Sequence, residues 1–189
     1  MDVVLFHSMW GLRSAERAAA DRLRGQGHRV VVPDLFGGRT APGELGAGSA
    51  LMAEIGWSTI VGRASDALSR VPDDAVLVGF SMGVGVIGEV WPGRLAAAAV
   101  ACLHAPLSVP SGVQPGTPVQ LHYAAGDRFA PPEQVAAFRR SAEVAGATAL
   151  VREYADAGHY FTDESHPDYA AAAAAATWRD VGDMLRSVG

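Results

Sequence analysis

With 189 residues, of which 49% are hydrophobic and 19% charged, the chain has the length and composition of a single globular domain spanning residues 1–189. The formal net charge of -5, from 15 Lys and Arg against 20 Asp and Glu, provides no basic surface for nucleic acid or acidic lipid. Cys102 is the only cysteine, which excludes an internal disulfide and is typical of a protein from a reducing compartment.

No targeting or membrane segment is predicted. The first apolar strand begins almost at once, without the basic region and the small-residue cleavage site of a signal peptide. The alanine tract at 170–176 is bounded by Asp168 and Arg179 and is too short to cross a bilayer. We therefore expect a cytoplasmic protein without a membrane or nucleic-acid partner.

The first part of the chain predicts a strand, a helix and a second strand, followed by a loop. Residues 3–6 form an uninterrupted apolar run, which is typical of a strand buried on both faces of a parallel sheet. Alanine and leucine at helical spacing predict a helix at 13–24, and valine-rich residues 29–32 predict the second strand. Residues 37–48 contain five glycines and a proline, which predicts an irregular loop.

The rest of the chain continues this alternation of helices and strands. It predicts an α/β protein with an open, mostly parallel six-stranded sheet, helices on both faces and no large lid domain. In such folds a ligand binds beyond the carboxyl ends of the strands. The remaining strands are predicted at 75–80, 97–103, 118–123 and 150–154, and the helices at 49–69, with an interruption near Gly56, and at 82–90, 133–145 and 169–186.

A Gly-x-Ser-x-Gly motif at 79–83 joins the predicted strand at 75–80 to the following helix. In a sharp strand-to-helix turn, its two glycines avoid steric collisions and leave the hydroxyl of Ser81 exposed above the strand end. The Met82 N–H at the start of the helix can then donate to a developing oxyanion. The alternative interpretation is a glycine-rich turn in which Ser81 only caps the helix.

Asp127 and His159 lie in loops that follow the predicted strands at 118–123 and 150–154. Ser81, Asp127 and His159 therefore follow three different strands in the order that α/β-hydrolases use. A serine nucleophile needs a base for its proton, and an imidazole base needs an acid that fixes its tautomer. Taken singly, Asp127 is explained as a turn residue and His159 as a solvated or capping histidine. Together with Ser81 they predict a catalytic triad.

Five segments at the predicted strand ends carry a resemblance to a known family. They are FHSMWGL at 6–12, PDL at 33–35, GFSMG at 79–83, AGDRFAP at 125–131 and AGHYF at 157–161. Over nearly its whole length the chain resembles the dienelactone hydrolase family of the α/β-hydrolase fold. The resemblance implies a hydrolase of carboxylic esters that needs no cofactor, with an oxyanion hole made by the backbone N–H groups of Met9 and Met82.

The chain also departs from the pattern of that family. The nucleophile there is usually a cysteine, controlled by a glutamate after the first strand, whereas this chain has Ser81 and Ser8. Asp163 stands four residues after the histidine, where the founding lactonases carry an arginine for the substrate carboxylate. Neither Arg39 nor Arg63 matches the second such arginine. We therefore expect discrimination against substrates with a carboxylate next to the scissile bond, because Asp163 would repel it.

Eight residues near the predicted strand ends are candidates to line a substrate pocket, and the aromatic ones would surround an apolar acyl or alcohol group. His7 and His104 also have a structural interpretation as buried, hydrogen-bonded histidines, as does His122 within a strand. A metal centre built from His7, His104 and His159 is an alternative, but no two histidines have a recognised ligand spacing, so no metal is predicted. The candidates are His7, Ser8, Trp10, His104, Phe129, Tyr160, Phe161 and Asp163.

The sequence thus predicts a serine hydrolase that cleaves a small ester, lactone or thioester through an acyl-enzyme. One alternative is a non-catalytic protein of the same fold that binds a ligand or a partner. The presence of Ser81, Asp127 and His159 together favours the enzyme, because a binding module does not need all three. Peptidase activity and polyketide lactone or ring-opening chemistry also stay open. The expected partner is a small-molecule ester or lactone, and the protein is expected to be a monomer or a homodimer.

Overall fold

The computed structural model describes residues 1–189 as a sheet with helices on both faces. The strands are β1 (Asp2–Phe6), β2 (Arg29–Val31), β3 (Val76–Phe80), β4 (Val100–Leu103), β5 (Pro118–Ala124) and β6 (Thr148–Tyr154). The helices are α1 (Ser14–Gly25), α2 (Leu45–Ile55), α3 (Trp57–Leu68), α4 (Met82–Val90), α5 (Pro132–Ala145) and α6 (Ala171–Val188), and a short 3-10 helix spans Trp91–Gly93.

The six strands form one sheet in the order β2-β1-β3-β4-β5-β6, and every neighbouring pair is parallel. This agrees with the predicted open parallel sheet without a large lid domain. Parallel strands all have their carboxyl ends at one edge of the sheet, so the loops that follow β1, β3, β5 and β6 lie on the same side of the molecule. The predicted functional residues are in these loops.

The sheet is buried on both faces, which explains the uninterrupted apolar runs in its central strands. Along β1, Val3 and Leu5 join a cluster of buried residues from α1 and α6. Val4 and Phe6 join the larger cluster on the opposite face, which includes residues of α2, α3, α4 and α5. All five residues of β3 are buried, so the strand before Ser81 is held firmly from both sides.

The predicted helix at 49–69 is two helices, and the first begins earlier than predicted. Gly56 separates α2 from α3 with a φ of 85°, a backbone conformation that glycine adopts readily. The helix α2 begins at Leu45, inside the segment predicted as a loop. Within α2, Gly48 packs closely on Trp10, and a Cβ at this position would lie only 2.7 Å from Cδ1 of the indole. Tertiary contact therefore outweighs the low helix propensity of the glycines.

The alanine tract is helical, as predicted, and forms the start of α6. This helix buries Trp178, Val181 and Leu185 against the sheet. Among all helices of the structure, none combines the length and the apolar composition needed to cross a membrane.

His122 lies in the middle of β5 and is fully buried. Its Nδ1 accepts a hydrogen bond from the Tyr154 hydroxyl (3.0 Å), and its Nε2–H donates to Oε1 of Gln120 (3.0 Å). The Thr177 hydroxyl donates to the same tyrosine oxygen (3.0 Å). This network confirms the structural interpretation of His122. Burial lowers the pKa of His122 to about 4, so the ring is neutral at neutral pH.

We expect the free energy of unfolding to fall as the pH is lowered from about 6.5 to about 4, because the unfolded chain binds a proton at His122 that the folded chain excludes. The loss from this one residue reaches on the order of 3 kcal/mol near pH 4. Burial also lowers the pKa of His7 and of His104, which adds to the same trend. Denaturant unfolding at a series of pH values measures the slope. It should be shallower in His122→Gln, and an unchanged slope in that variant would contradict the assignment.

Candidate active site

Ser81 forms the turn between β3 and α4 in a strained backbone conformation, with φ 50° and ψ -104°. Few non-glycine residues adopt a positive φ, so the turn must be held by its surroundings. The Ser81 N–H donates to the carbonyl of Leu103 (2.8 Å). A Cβ on Gly79 would lie 2.7 Å from the backbone of Gly83, and one on Gly83 would overlap the carbonyl of Phe6. Both glycines of the motif are therefore required by close backbone approach.

A chain of hydrogen bonds connects Ser81, His159 and Asp127. The Ser81 hydroxyl donates to Nε2 of His159 (2.8 Å), and Nδ1–H of His159 donates to Oδ2 of Asp127 (2.5 Å). The protons are assigned from this network. The other carboxylate oxygen of Asp127 accepts the N–H of Phe129 (2.9 Å), which fixes its orientation. The Ser81 side chain makes no hydrogen bond to the helix that follows, so the capping interpretation is wrong.

The electrostatic surroundings suit a histidine that takes up a proton. The side chain of Asp127 is 4% exposed and that of His159 is 11% exposed, so little water screens their interaction. The ring of His104 lies 5.7 Å from that of His159, and its Nε2 pairs with the Thr162 hydroxyl (2.9 Å). Burial lowers the pKa of His104 well below the usual range. His104 is therefore neutral and does not oppose a positive charge on His159.

The two predicted oxyanion donors belong to the loop after β1 and to the start of α4. In the sheet, Phe6 of β1 pairs in register with Gly79 of β3, so the loop after β1 begins beside the Ser81 turn. Met9 lies in this loop, and its N–H donates to no acceptor in the protein. Met82 is the first residue of α4, and the N–H of a first helical residue has no partner within its own helix. Both N–H groups are thus free to bind a substrate oxygen.

Glu16 of α1 holds the loop that contains Met9, a role that the sequence analysis missed. The carboxylate is 2% exposed and accepts hydrogen bonds from the Ser8 hydroxyl (2.8 Å) and N–H (3.3 Å) and from the Arg13 N–H (3.1 Å). The available signal was its place as the third residue of α1, where a glutamate commonly caps the helix start. The prediction that Ser8 lines the pocket is corrected, because its hydroxyl binds Glu16.

His7 and Phe161, two predicted pocket residues, belong to the interior. His7 is fully buried, its Nδ1–H donates to the carbonyl of Ser8 (2.7 Å) and its Nε2 accepts the N–H of Leu35 (3.0 Å). Phe161 is also fully buried and packs in a small apolar cluster with Ala124. Both predictions of a pocket position are corrected: His7 connects two loops, and Phe161 fills the core.

Asp163 does not present a free negative charge. Its Oδ2 accepts a hydrogen bond from Nη2 of Arg13 (2.8 Å), and its Oδ1 accepts the N–H (2.9 Å) and the hydroxyl (2.6 Å) of Ser165. Burial acts to raise the pKa of Asp163, but these hydrogen bonds and the arginine charge outweigh it and lower the pKa below its ordinary value. Arg13 thus neutralises the charge of Asp163, which removes the physical basis for the expected repulsion of substrate carboxylates.

The other aromatic candidates lie near the imidazole of His159. Ring centroids of Phe129 and Tyr160 are 4.6 Å and 4.4 Å from that of His159. Trp10 lies behind Tyr160, with its ring centroid 3.8 Å away, and is 1% exposed. The guanidinium of Arg13 covers the indole at 4.5 Å from its centroid. Phe129 and Tyr160 thus flank the His159 ring directly, and Trp10 packs on Tyr160.

Asp168 positions the loop that carries His159, and no local sequence pattern indicated this. Its Oδ2 accepts the N–H of Tyr160 (3.1 Å). A Cβ on Gly158 would overlap the carboxyl carbon of Asp168, so only glycine allows the two segments to approach this closely. Asp168, which follows the loop of His159 in the chain, thus holds that loop in place.

The alternative metal centre finds no support in the side-chain geometry. Both ring nitrogens of His7 and of His159 are engaged in hydrogen bonds within the protein. The structure contains no group of three or more His, Cys, Asp or Glu side chains arranged to hold a metal ion.

The family model described as the dienelactone hydrolase family matches residues 1–189. A search of curated protein sequences finds no significant match. Among similar solved structures, a dienelactone hydrolase-like promiscuous phosphotriesterase from metagenomic libraries is 20% identical, with a TM-score of 0.78 over 99% of this chain and 86% of that chain. The thioesterase domain from the curacin biosynthetic pathway is 16% identical, with a TM-score of 0.64 over 95% of this chain and 90% of that chain. Mouse alpha/beta hydrolase domain-containing protein 10 is 12% identical, with a TM-score of 0.72 over 100% of this chain and 90% of that chain. The three likenesses establish the α/β-hydrolase fold.

Proposed function

Because the chain belongs to the dienelactone hydrolase family, a family of carboxylic ester hydrolases, we propose that it cleaves a small ester, lactone or thioester through an acyl-enzyme on Ser81. The observation that carries the proposal is the hydrogen-bond chain from Ser81 through His159 to Asp127. A nucleophile, a base and an orienting acid are the groups that acyl transfer requires, and here each follows a different parallel strand.

In the first half of the reaction, Ser81 Oγ attacks the carbonyl carbon and its proton passes to Nε2 of His159. Asp127 stabilises the imidazolium that forms and keeps the ring oriented. The negative charge develops on the former carbonyl oxygen, where the N–H groups of Met9 and Met82 donate to it. When the carbon–oxygen or carbon–sulfur bond to the leaving group breaks, His159 returns the proton to that group.

In the second half, water takes the place of the leaving group. His159, neutral again, accepts a proton from the water as the water oxygen attacks the acyl carbon on Ser81. The same two N–H groups, of Met9 and Met82, bind the second oxyanion. Collapse of this intermediate breaks the bond to Ser81 Oγ, which regains its proton from His159 and releases the carboxylic acid.

The side chains around the base favour an uncharged substrate. Phe129 and Tyr160 flank His159, and Arg13 and Asp163 cancel each other's charge. The phosphotriesterase and thioesterase activities named for two structural neighbours suggest esters, activated phosphoesters and thioesters as the first compounds to assay. A small uncharged acyl group is the proposed common feature.

Labelling with a fluorophosphonate probe tests the proposal without knowledge of the substrate. We expect stoichiometric modification of Ser81, found by peptide mass spectrometry, and none in Ser81→Ala. Ser69→Ala is the matched control, because this exposed serine lies at the end of α3 and its loss should leave labelling unchanged. A wild-type protein that is folded but not labelled would contradict the proposal and favour the non-catalytic binding alternative.

A further inference from the structure

The hydroxyl of Tyr160 is buried without a hydrogen-bond partner. The residue is 3% exposed, and no donor or acceptor of the protein lies in hydrogen-bonding geometry with its oxygen. Buried hydroxyls are nearly always paired, because an unpaired one costs free energy. Packing explains why the ring of Tyr160 is buried, but it does not explain why the buried hydroxyl has no partner.

Tyr160 belongs to the loop of His159 and packs against the loop after β1. It directly follows His159, and its ring stands nearly perpendicular to the imidazole, at an interplanar angle of 82°. On its other side the ring packs on Trp10, which follows the proposed oxyanion donor Met9 in the chain. The Ser81 side chain is close enough to act against the rise in the pKa of Tyr160, but the two hydroxyls do not meet hydrogen-bond geometry, and Ser81 Oγ is paired with His159. The unpaired oxygen thus belongs to a ring that contacts both His159 and Trp10, and it lies within reach of the Ser81 side chain.

The hydroxyl of Tyr160 keeps its proton at neutral pH and can therefore donate a hydrogen bond. Burial raises the pKa of Tyr160 to about 12, and the smaller opposing effects of Ser81 and Arg13 do not reverse this. The phenol therefore stays protonated throughout the reaction and does not act as a general acid or base near neutral pH. Its O–H dipole is available to an oxygen that carries negative charge.

We propose that the Tyr160 hydroxyl donates a third hydrogen bond to the oxyanion that forms when Ser81 attacks the substrate, beside the N–H groups of Met9 and Met82. This inference rests on the proposed acyl-enzyme function. In the free protein the donor has no acceptor, and the acceptor appears as charge develops on the carbonyl oxygen. An interaction of this kind stabilises the transition state more than the bound substrate and therefore raises kcat.

The variant Tyr160→Phe tests the proposal, because it keeps the aromatic wall and removes only the oxygen. We expect kcat for a neutral ester to fall by about 100-fold, in the range found for loss of one oxyanion donor, and KM to change by less than about twofold. The Tm should not fall, because the hydroxyl has no partner to lose.

Two tyrosines provide matched controls. Tyr169→Phe removes an exposed hydroxyl and should leave kcat and Tm at the wild-type values. Tyr154→Phe removes a hydroxyl that is bonded to His122 and Thr177, so it should lower Tm without the loss in kcat. Tyr169→Phe thus controls for the loss of a tyrosine hydroxyl outside the site. Tyr154→Phe controls for a loss of stability.

A boronic acid inhibitor gives a second readout, because its tetrahedral adduct with Ser81 places an oxygen where the oxyanion forms. Tyr160→Phe should weaken this inhibition by about the same factor as it lowers kcat/KM. A kcat within about twofold of wild type would overturn the inference, as would a loss of kcat that follows a fall in Tm. Absence of fluorophosphonate labelling at Ser81 in the wild type would instead contradict the proposed function, so the two failures are distinguishable.

Discussion

Replacing Ser81 by alanine is expected to lower kcat for hydrolysis of p-nitrophenyl acetate by at least about 10⁴-fold. The variant removes only Oγ, which donates to His159 and makes no hydrogen bond to α4. Alanine must adopt the same positive φ as serine, so the strain of the turn is unchanged and the Tm should stay close to that of the wild type. Initial rates at saturating ester, together with a thermal melt, give both quantities.

His159→Ala should reduce turnover by a similar factor, and the double variant with Ser81→Ala should be hardly slower than either single one. Nucleophile and base act as one unit, so removal of either abolishes the same step. Losses that multiply in the double variant would show that the two side chains act independently. Substantial ester turnover in purified Ser81→Ala would exclude this serine as the nucleophile.

Asp127→Asn is expected to lower kcat by about 10³- to 10⁴-fold while the protein stays folded. The amide is nearly isosteric with the carboxylate, and its oxygen can still accept the N–H of Phe129. Its NH₂ group, however, donates where Oδ2 accepted from Nδ1–H of His159, which favours the tautomer with the proton on Nε2. That nitrogen then cannot accept the proton of Ser81.

Steady-state kinetics compare this variant with Asp156→Asn, in which an exposed carboxylate three residues before His159 is changed. Like Asp127→Asn, the control removes one negative charge near His159, but it changes no group in the hydrogen-bond chain. Its kcat should therefore equal that of the wild type. Equal activity of Asp127→Asn and Asp156→Asn would mean that Asp127 does not orient the base.

The positions of Ser81, Asp127 and His159 were predictable because each belongs to a loop at the end of a strand with a clear apolar pattern. In a parallel sheet, such loops meet at one edge whatever their separation in the chain. The glycines of the motif at 79–83 added a steric requirement that could be read directly from the sequence. The fold and the placing of these three side chains at one edge of the sheet therefore followed from local patterns combined with one rule of topology.

The partners of individual side chains were not predictable in this way. Arg13 and Asp163 are 150 positions apart, and nothing near either residue indicates that they pair. The same limit applies to the contact of Gly158 with Asp168 and to the packing of Gly48 on Trp10, which makes a helix from a glycine-rich segment. Contacts between distant segments decided these details, and local propensity carries no information about them.

The order of the strands determines when a growing chain acquires its reactivity. The strand β3 joins the free edge of β1, and from β4 onward each new strand pairs with the one before it, so synthesis can extend the sheet without inserting a strand between two that are already paired. Ser81 emerges with the third strand, whereas His159 follows the sixth. In the proposed mechanism, a half-synthesised chain thus holds the Ser81 hydroxyl without its base, and the site is complete only when the last loop has docked.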